Sequence, residues 1–232
     1  MVFGGLQKNS LIDYPGKVSC VLFLSGCNFD CPYCHNPELV KGHSFQPSFL
    51  DEKAVYSFLQ ERTDLLDGVV ISGGEPTLHK DLSSICKKIK RMGYPIKLDT
   101  NGSRPEVIKR LIGQGLIDYV AMDIKTDPFC YSPQIVKNHN PEHILASIEI
   151  IMESSLPYEF RTTCAKPIVD RHVIVRIAKT IKRARLYVLQ RFHKNKILHP
   201  EFFRKIEPSY REEELYYLKS VAGQWVKNCI IR

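Results

Sequence analysis

Short apolar runs alternate with longer stretches in which apolar residues recur every three or four positions, almost to the end of the chain. The runs at 18–24, 68–72, 95–99, 118–124, 158–163 and 185–190 carry the β-branched and apolar content of buried strands, and predict six of them. Between them the period lengthens. Ala54, Val55, Phe58 and Leu59 share one helical face, as do Leu78, Leu82, Ile85, Ile89 and Met92. Ser103 near a cap and Pro105 in the first turn open the next helix, which turns Val107, Ile108, Leu111 and Ile112 inward. Asn140 and Pro141 start a helix with Ile144, Leu145, Ile148 and Ile151 inward. Asp170 caps one carrying Val173, Ile174, Ile177 and Ile181. A last helix from about Arg211 carries Leu215, Leu218, Ala222 and Trp225.

Strands separated by helices imply right-handed βαβ units and a parallel sheet. The expected fold is α/β, a partial (β/α)6 TIM-like barrel with outer helices, as if the last two units of a full barrel were missing. Chemistry in such barrels sits at the C-terminal ends of the strands. Here those ends read Ser25-Gly26-Cys27, Ser72-Gly73-Gly74-Glu75, Asp99-Thr100-Asn101, Asp123-Ile124-Lys125, Arg161-Thr162-Thr163 and Gln190-Arg191. Polar strand ends are common, but sets that include three acids and a cysteine loop mark a site.

Composition changes this picture in two places. The 232 residues suit one large domain, and residues 1–16 lack a basic-then-apolar export pattern. No apolar run is long enough to span a bilayer, so the chain reads as cytoplasmic. In a reducing compartment eight cysteines are not a disulfide framework. Cys20, Cys86, Cys130, Cys164 and Cys229 are scattered and read as structural thiols; Cys27, Cys31 and Cys34 cluster within eight residues. The net charge of +8 also has a location. Residues 166–205 hold twelve Lys or Arg against Asp170 and Glu201. Without an aromatic-interleaved basic motif, a solvated helix face plus a flexible loop is favoured over a nucleic-acid site.

Taken alone, the cysteine loop permits several chemistries. Cys31-Pro32-Tyr33-Cys34 matches a thiol–disulfide pattern, Cys31-x-x-Cys34-His35 a c-type haem attachment, and three cysteines with His35 a zinc knuckle. Haem attachment needs export, and the dithiol leaves Cys27 unexplained. Zinc is the serious rival, although Cys34 and His35 are adjacent and would strain the loop if both reached one ion. An open-site iron–sulfur cluster, one ligand short, is the favoured reading.

Cys27-x-x-x-Cys31-x-x-Cys34, with Tyr33 before the last cysteine, resembles the signature of the radical S-adenosylmethionine (SAM) enzymes, and Ser72-Gly73-Gly74-Glu75-Pro76 is similar to their glycine motif. The resemblance covers residues 5–192. Ser10-Leu11-Ile12-Asp13-Tyr14-Pro15-Gly16, Cys34-His35-Asn36-Pro37-Glu38-Leu39, Asp99-Thr100-Asn101-Gly102, Met122-Asp123-Ile124-Lys125 and Arg161-Thr162-Thr163 narrow it to the glycyl-radical-enzyme activases. Among these it is most similar to the activating proteins of anaerobic ribonucleoside-triphosphate reductase.

The resemblance implies a radical SAM oxidoreductase with a [4Fe–4S] cluster on Cys27, Cys31 and Cys34, its fourth iron chelated by SAM. Reductive cleavage to a 5′-deoxyadenosyl radical would then remove hydrogen from a glycine of a partner glycyl radical enzyme, with electrons from a flavodoxin- or ferredoxin-type donor. The expected organisation is a core of residues 1–192 with the cluster loop at 25–39 and, beyond the resemblance, a basic loop and C-terminal helix, 193–232, packed on it. Expected SAM contacts are Gly73 and Gly74 through close backbone approach, Glu75, Asp99, Asn101, Asp123 and Lys125, then Arg161, Gln190 and Tyr33. Each has a plainer role open to it: a strand-to-helix turn for the glycines, helix-start amides for Glu75, an Asn-Gly turn for Asn101, loop packing for Tyr33. His35 is expected to support the loop rather than to ligate. Two other functions stay open: a radical SAM enzyme acting on a small molecule or tRNA, and a zinc-stabilised binding protein.

Overall fold

The computed structural model describes residues 3–40, 50–138, 140–194 and 196–232. Its single sheet has eight strands in the order of the chain: β1 (Phe3–Ser10), β2 (Ser19–Leu24), β3 (Gly68–Gly73), β4 (Ile96–Thr100), β5 (Tyr119–Asp123), β6 (Tyr158–Cys164), β7 (Tyr187–Arg191) and β8 (Cys229–Ile231). β1 runs antiparallel to β2, and every later neighbour is parallel. β2 to β7 are the six expected strands. A sheet that adds each strand beside its predecessor, always with the same crossover hand, must curl, and its helices fall on the outside. The result is the expected partial barrel.

β1 and β8 are additions to that reading. β1 reads Phe-Gly-Gly-Leu-Gln-Lys-Asn-Ser, with two glycines and no clean alternation, and its pairing with β2 is irregular. β8 is three half-buried residues long and shows no periodicity that could be read. Both are edge strands, recruited by hydrogen bonds to a neighbour rather than by their own apolar pattern.

The helices are α1 (Pro37–Val40), α2 (Glu52–Gln60), α3 (Leu82–Arg91), α4 (Pro105–Gly113), α5 (Pro141–Glu153), α6 (Arg171–Thr180) and α7 (Glu212–Gly223). Asp51, Asn140 and Asp170 cap α2, α5 and α6 with side-chain oxygens on backbone N–H groups. Leu78 lies in a separate 3-10 turn, Pro76–Leu78, so α3 starts only at Leu82. Ile112 and Trp225 are only half-buried. No described helix is long and apolar enough to cross a membrane.

Nearly all the core lies between the sheet and the helices. Inside the barrel a second, small cluster of Tyr14, Val21, Val70, Tyr119 and Ala121, with Phe23 against it, fills the floor. Tyr14 and Tyr119 meet edge-on at 5.9 Å, and burial pushes the Tyr14 hydroxyl up to about 12. Above this floor the interior changes character. Strand register links Val70 to Lys97, Asp99 to Ala121, Ala121 to Glu159 and Asp123 to Arg161. The inward rows therefore turn from apolar to charged on the way to the C-terminal mouth.

The basic excess is largely absorbed by contacts. Lys166, Arg176, Arg191 and Lys196 pair with Glu214, Asp127, Glu212 and Glu38. Arg171, Lys179 and Arg185 lie over the rings of Tyr217, Trp225 and Tyr158.

Candidate active site at the C-terminal mouth of the barrel

The loop that leaves β2 is built by local hydrogen bonding. Gly26, at φ +94°, turns the chain out of the strand, and its N–H donates to the Leu39 carbonyl at 2.7 Å, closing the loop. Within it the Cys34 N–H donates to the Cys31 carbonyl and the Phe29 N–H approaches the Cys27 Sγ at 3.4 Å. Two ties reach across the barrel mouth: the Asp30 N–H donates to the Ile135 carbonyl, and the Tyr33 hydroxyl to the Lys125 carbonyl. All three cysteines are free thiols.

The glycines after β3 have a sharper reason than cofactor access. A Cβ on Gly73, at φ +128°, would lie 2.2 Å from the Leu24 carbonyl oxygen, and one on Gly74 would lie 2.0 Å from that of Gly26. The Gly74 and Glu75 N–H groups donate to these same two carbonyls, both at 2.8 Å. The pair lets β3 press against the root of the cysteine loop and hold it. Both glycines also line the cavity described below.

Glu75 departs from its expected place. Its carboxylate is fully buried and absent from the cavity wall. It accepts from the Thr77 N–H and hydroxyl, the Thr100 hydroxyl and the Asn101 N–H. This is the helix-start role that the sequence also allowed, extended to the next strand end. Burial pushes the carboxyl up in spite of these donors. Glu75→Gln keeps the volume but gives the amide only one acceptor oxygen for these donors. It should lower stability by roughly 1–3 kcal/mol, read by thermal or denaturant unfolding.

The remaining strand-end residues form one ion network. The Arg161 guanidinium donates to Asp123 at 2.7 Å and to Asp99 at 3.1 Å. Lys125 donates to Asp123 at 2.9 Å, and the fully buried Lys97 pairs with Asp99. Burial alone would raise the Asp123 carboxyl, but Arg161 and Lys125 outweigh it and hold the group well below the usual carboxylate range. Below the network, buried Glu159 accepts from Arg232 and from the Tyr119 hydroxyl. Lys97, Arg161 and Lys125 against Asp99 and Asp123 leave one positive charge over.

Asp99, Asp123, Lys125 and Arg161 of this network face a cavity of about 320 Å³. It brings together Cys27, Cys31, Tyr33, Cys34, Gly73, Gly74, Asp99, Asn101, Asp123, Lys125, Arg161 and Gln190, which is every expected site residue except Glu75. Asp13, Phe23, Ser72, Thr100 and Thr163 line it too. Asp13 was legible only as part of a motif, because it lies on the loop between β1 and β2 rather than at a parallel strand's end. Lys97 was missed although its position two residues before Asp99 puts both on one face of β4. Asn101 reaches the cysteine loop as well: its amide donates to Asn28, which donates to Ser103.

The donor set can be tested against an iron–sulfur cluster and SAM. Burial pushes the Cys27 thiol up to about 11 and that of Cys31 up to about 12, and raises Cys34. The Lys125 ammonium acts on all three in the opposite sense. Largely desolvated thiols beside a fixed cation are suited to a cationic centre that takes them as thiolates. Among the described residues no three His, Cys, Asp or Glu side chains converge tightly enough to chelate a single ion. A cluster, whose corner irons stand apart, does not require that convergence. The volume lies in the range of pockets that enclose a mid-sized ligand, roughly 300–1,000 Å³. The residues fit the pair of cofactors.

Comparison with known proteins agrees. The chain is 38% identical to a protein of Methanocaldococcus jannaschii assigned as a glycyl-radical enzyme activating enzyme, over 98% of this chain and 94% of that one. It is 26% identical to a pyruvate formate-lyase-activating enzyme of Streptococcus mutans, over 78% of this chain and 73% of the relative. Among solved structures, Streptococcus suis SuiB bound to precursor peptide SuiA superposes with a TM-score of 0.67 at 14% identity. That match covers 91% of this chain and 48% of SuiB, and speaks for the fold alone. The model of the radical SAM superfamily matches residues 21–186. With that match across most of its length, the chain belongs to the radical SAM superfamily of enzymes.

Proposed function

We propose that the chain activates a glycyl radical enzyme, anaerobic ribonucleoside-triphosphate reductase being the favoured partner, and takes its electrons from a flavodoxin- or ferredoxin-type donor. The observation that carries the reading is the single cavity shared by Cys27, Cys31 and Cys34 with Asp99, Asn101, Asp123, Lys125, Arg161 and Gln190. The similarity to assigned activating enzymes over nearly the whole chain supports the same reaction class. When bound at Cys27, Cys31 and Cys34, a [4Fe–4S] cluster together with SAM would supply the one-electron chemistry for removing hydrogen from a glycine of the partner.

The chain's own residues then have distinct tasks. Cys27, Cys31 and Cys34 hold the cluster on a loop anchored at both ends. Lys125 and Arg161, fixed by two carboxylates, present cationic edges to the carboxylate of SAM. Asp99, Asn101, Gln190 and Thr163 offer acceptors and donors for its amino and ribose groups; the Thr163 hydroxyl stands 3.4 Å from Gln190. The apolar floor beneath the network excludes water from that side.

The loop between β1 and β2 suits a macromolecular substrate. Asp13 lines the cavity while Leu11 and Ile12, its neighbours, are exposed by 76% and 81%. Replacing both by serine should leave uncoupled SAM cleavage near wild type and weaken activation of the partner about tenfold, the scale of losing two apolar contacts. Product chromatography and activation kinetics separate the two readouts.

The experiment that tests the function incubates the reduced, reconstituted enzyme and SAM with purified anaerobic ribonucleotide reductase. Electron paramagnetic resonance should then detect a glycyl doublet. SAM cleavage without a doublet from that reductase or from other glycyl radical enzymes would turn the assignment to a small-molecule or tRNA substrate. Partial similarity to a 7-carboxy-7-deazaguanine synthase of Aquifex aeolicus, 31% over 44% of this chain and 43% of the relative, gives that second reading its footing.

A further inference from the structure

The cysteine loop is gripped from its outer side by a segment more than 150 residues later in the chain. The Leu198 N–H donates to the Cys34 carbonyl at 3.0 Å, and the His199 N–H to the Pro32 carbonyl at 3.1 Å. His199 bridges Asp30 at 2.9 Å and Glu201 at 3.0 Å, and Lys196 pairs with Glu38. The His35 ring stacks on Phe192 at 5.7 Å, and Phe192 in turn on Phe203 at 5.6 Å. Ile197, Leu198 and Phe203 are buried, so the segment is seated on the core rather than laid over the surface.

These contacts differ in weight. The ion pairs are exposed and contribute little each, because water screens them and their long side chains lose freedom. The two backbone bonds fix the carbonyls of the last cysteine and of the residue after Cys31, with buried side chains behind them. The loop's inner side, by contrast, is held through Asp30, Tyr33 and the Gly26 turn.

We infer that Phe192 and residues 196–203 are the outer half of the cluster's cradle, a positioning strap that holds the cysteine loop in its ligating conformation and slows loss of iron. The inference rests on Cys27, Cys31 and Cys34 being the cluster ligands. It gives part of the basic segment a task inside the molecule, retention of the cofactor, in place of a free surface for partners. None of the strap residues lines the cavity, so the strap acts through the loop and not on SAM.

The test reads cluster retention in the full-length reconstituted protein. A ferrous chelator is added anaerobically, iron release is followed by absorbance, and unfolding of the metal-free protein is measured in parallel. Leu198→Pro deletes the N–H that reaches Cys34, and should release iron about tenfold faster, the scale of one lost hydrogen bond. Leu198→Ala keeps that N–H while shortening the side chain, and should hold iron longer than Leu198→Pro. The double variant Lys196→Ala with His199→Ala alters one exposed and one half-buried side chain, neither in the core, and folds as the wild type does; it should release iron about threefold faster, the scale of its two ties to the loop. Wild-type release rates in the double variant and in Leu198→Pro would overturn the strap. If Leu198→Pro does not fold, the double variant alone decides: threefold supports the inference and a wild-type rate rejects it. Cluster loss in Cys34→Ala alongside wild-type release in the strap variants would discard the strap and leave the ligand assignment standing.

Discussion

Cys34→Ala, reconstituted anaerobically with iron and sulfide, should bind no stable cluster and form no 5′-deoxyadenosine from SAM. Under the proposed function the loop's three thiolates would hold the cluster and leave its remaining ligand position to SAM. Removing one more ligand opens a second iron to solvent in a site where nothing replaces it. His35 is the adjacent candidate, but its ring is committed to the stack on Phe192, and burial lowers its pKa. Gly26, Gly74 and the strap hold the backbone in place, so the variant should fold as the wild type does while staying colourless. Iron analysis, absorbance and product chromatography measure this directly. Retention of both cluster and product formation would refute the ligand assignment.

The second large effect belongs to Arg161. Arg161→Met keeps an unbranched apolar stem but loses the guanidinium, and with it the charge that joins Asp99 to Asp123, both of which are largely buried. Breaking one partner out of a buried ion network leaves carboxylates without compensation, at a cost of about 3–5 kcal/mol. For a chain of this size that corresponds to a fall in thermal midpoint of roughly 2–4 °C per kcal/mol. The pH dependence has a definite sign. Asp123 titrates lower in the folded than in the unfolded chain, so its contribution is full above the ordinary carboxylate pKa near 4 and is lost as the pH falls below it. The stability gap between Arg161→Met and the wild type should therefore narrow below about pH 4. A constant gap down to strong acid would mean that the guanidinium acts through packing alone. If Arg161 also orients SAM, the Michaelis constant for SAM cleavage rises in the same variant at neutral pH.

Much of the fold was legible because β2, β3, β5 and β7 carry apolar runs, β4 and β6 alternate apolar with polar residues, and the helices carry clean faces. Burial on both sides of a parallel sheet forces such runs on a sequence. β1 and β8 were not, since an edge strand pairs on one side only and needs little apolar content. The site was legible for the same reason that active sites in such barrels can be found at all: parallel strands deliver their C-terminal ends to one mouth. That rule brought Asp99, Asn101, Asp123, Lys125, Arg161 and Gln190 to the cavity with the cysteines. It has nothing to say about Asp13, which arrives from the loop between β1 and β2, or about Lys97, one row deeper.

What the sequence determined by itself is the alternation, the order of chemistry-bearing strand ends and the three-cysteine loop, all of which are local or periodic properties of the chain. Tertiary structure decided the rest. It withdrew Glu75 from the cavity, because four donors from two strand ends converge on its carboxylate. It made Gly73 and Gly74 necessary for contact with Leu24 and Gly26, and it laid the late residues 196–203 on the outside of the cysteine loop. Apart from the local Thr77 donors, such contacts join positions tens to more than a hundred residues apart. No spacing along the chain encodes them, and only packing selects them.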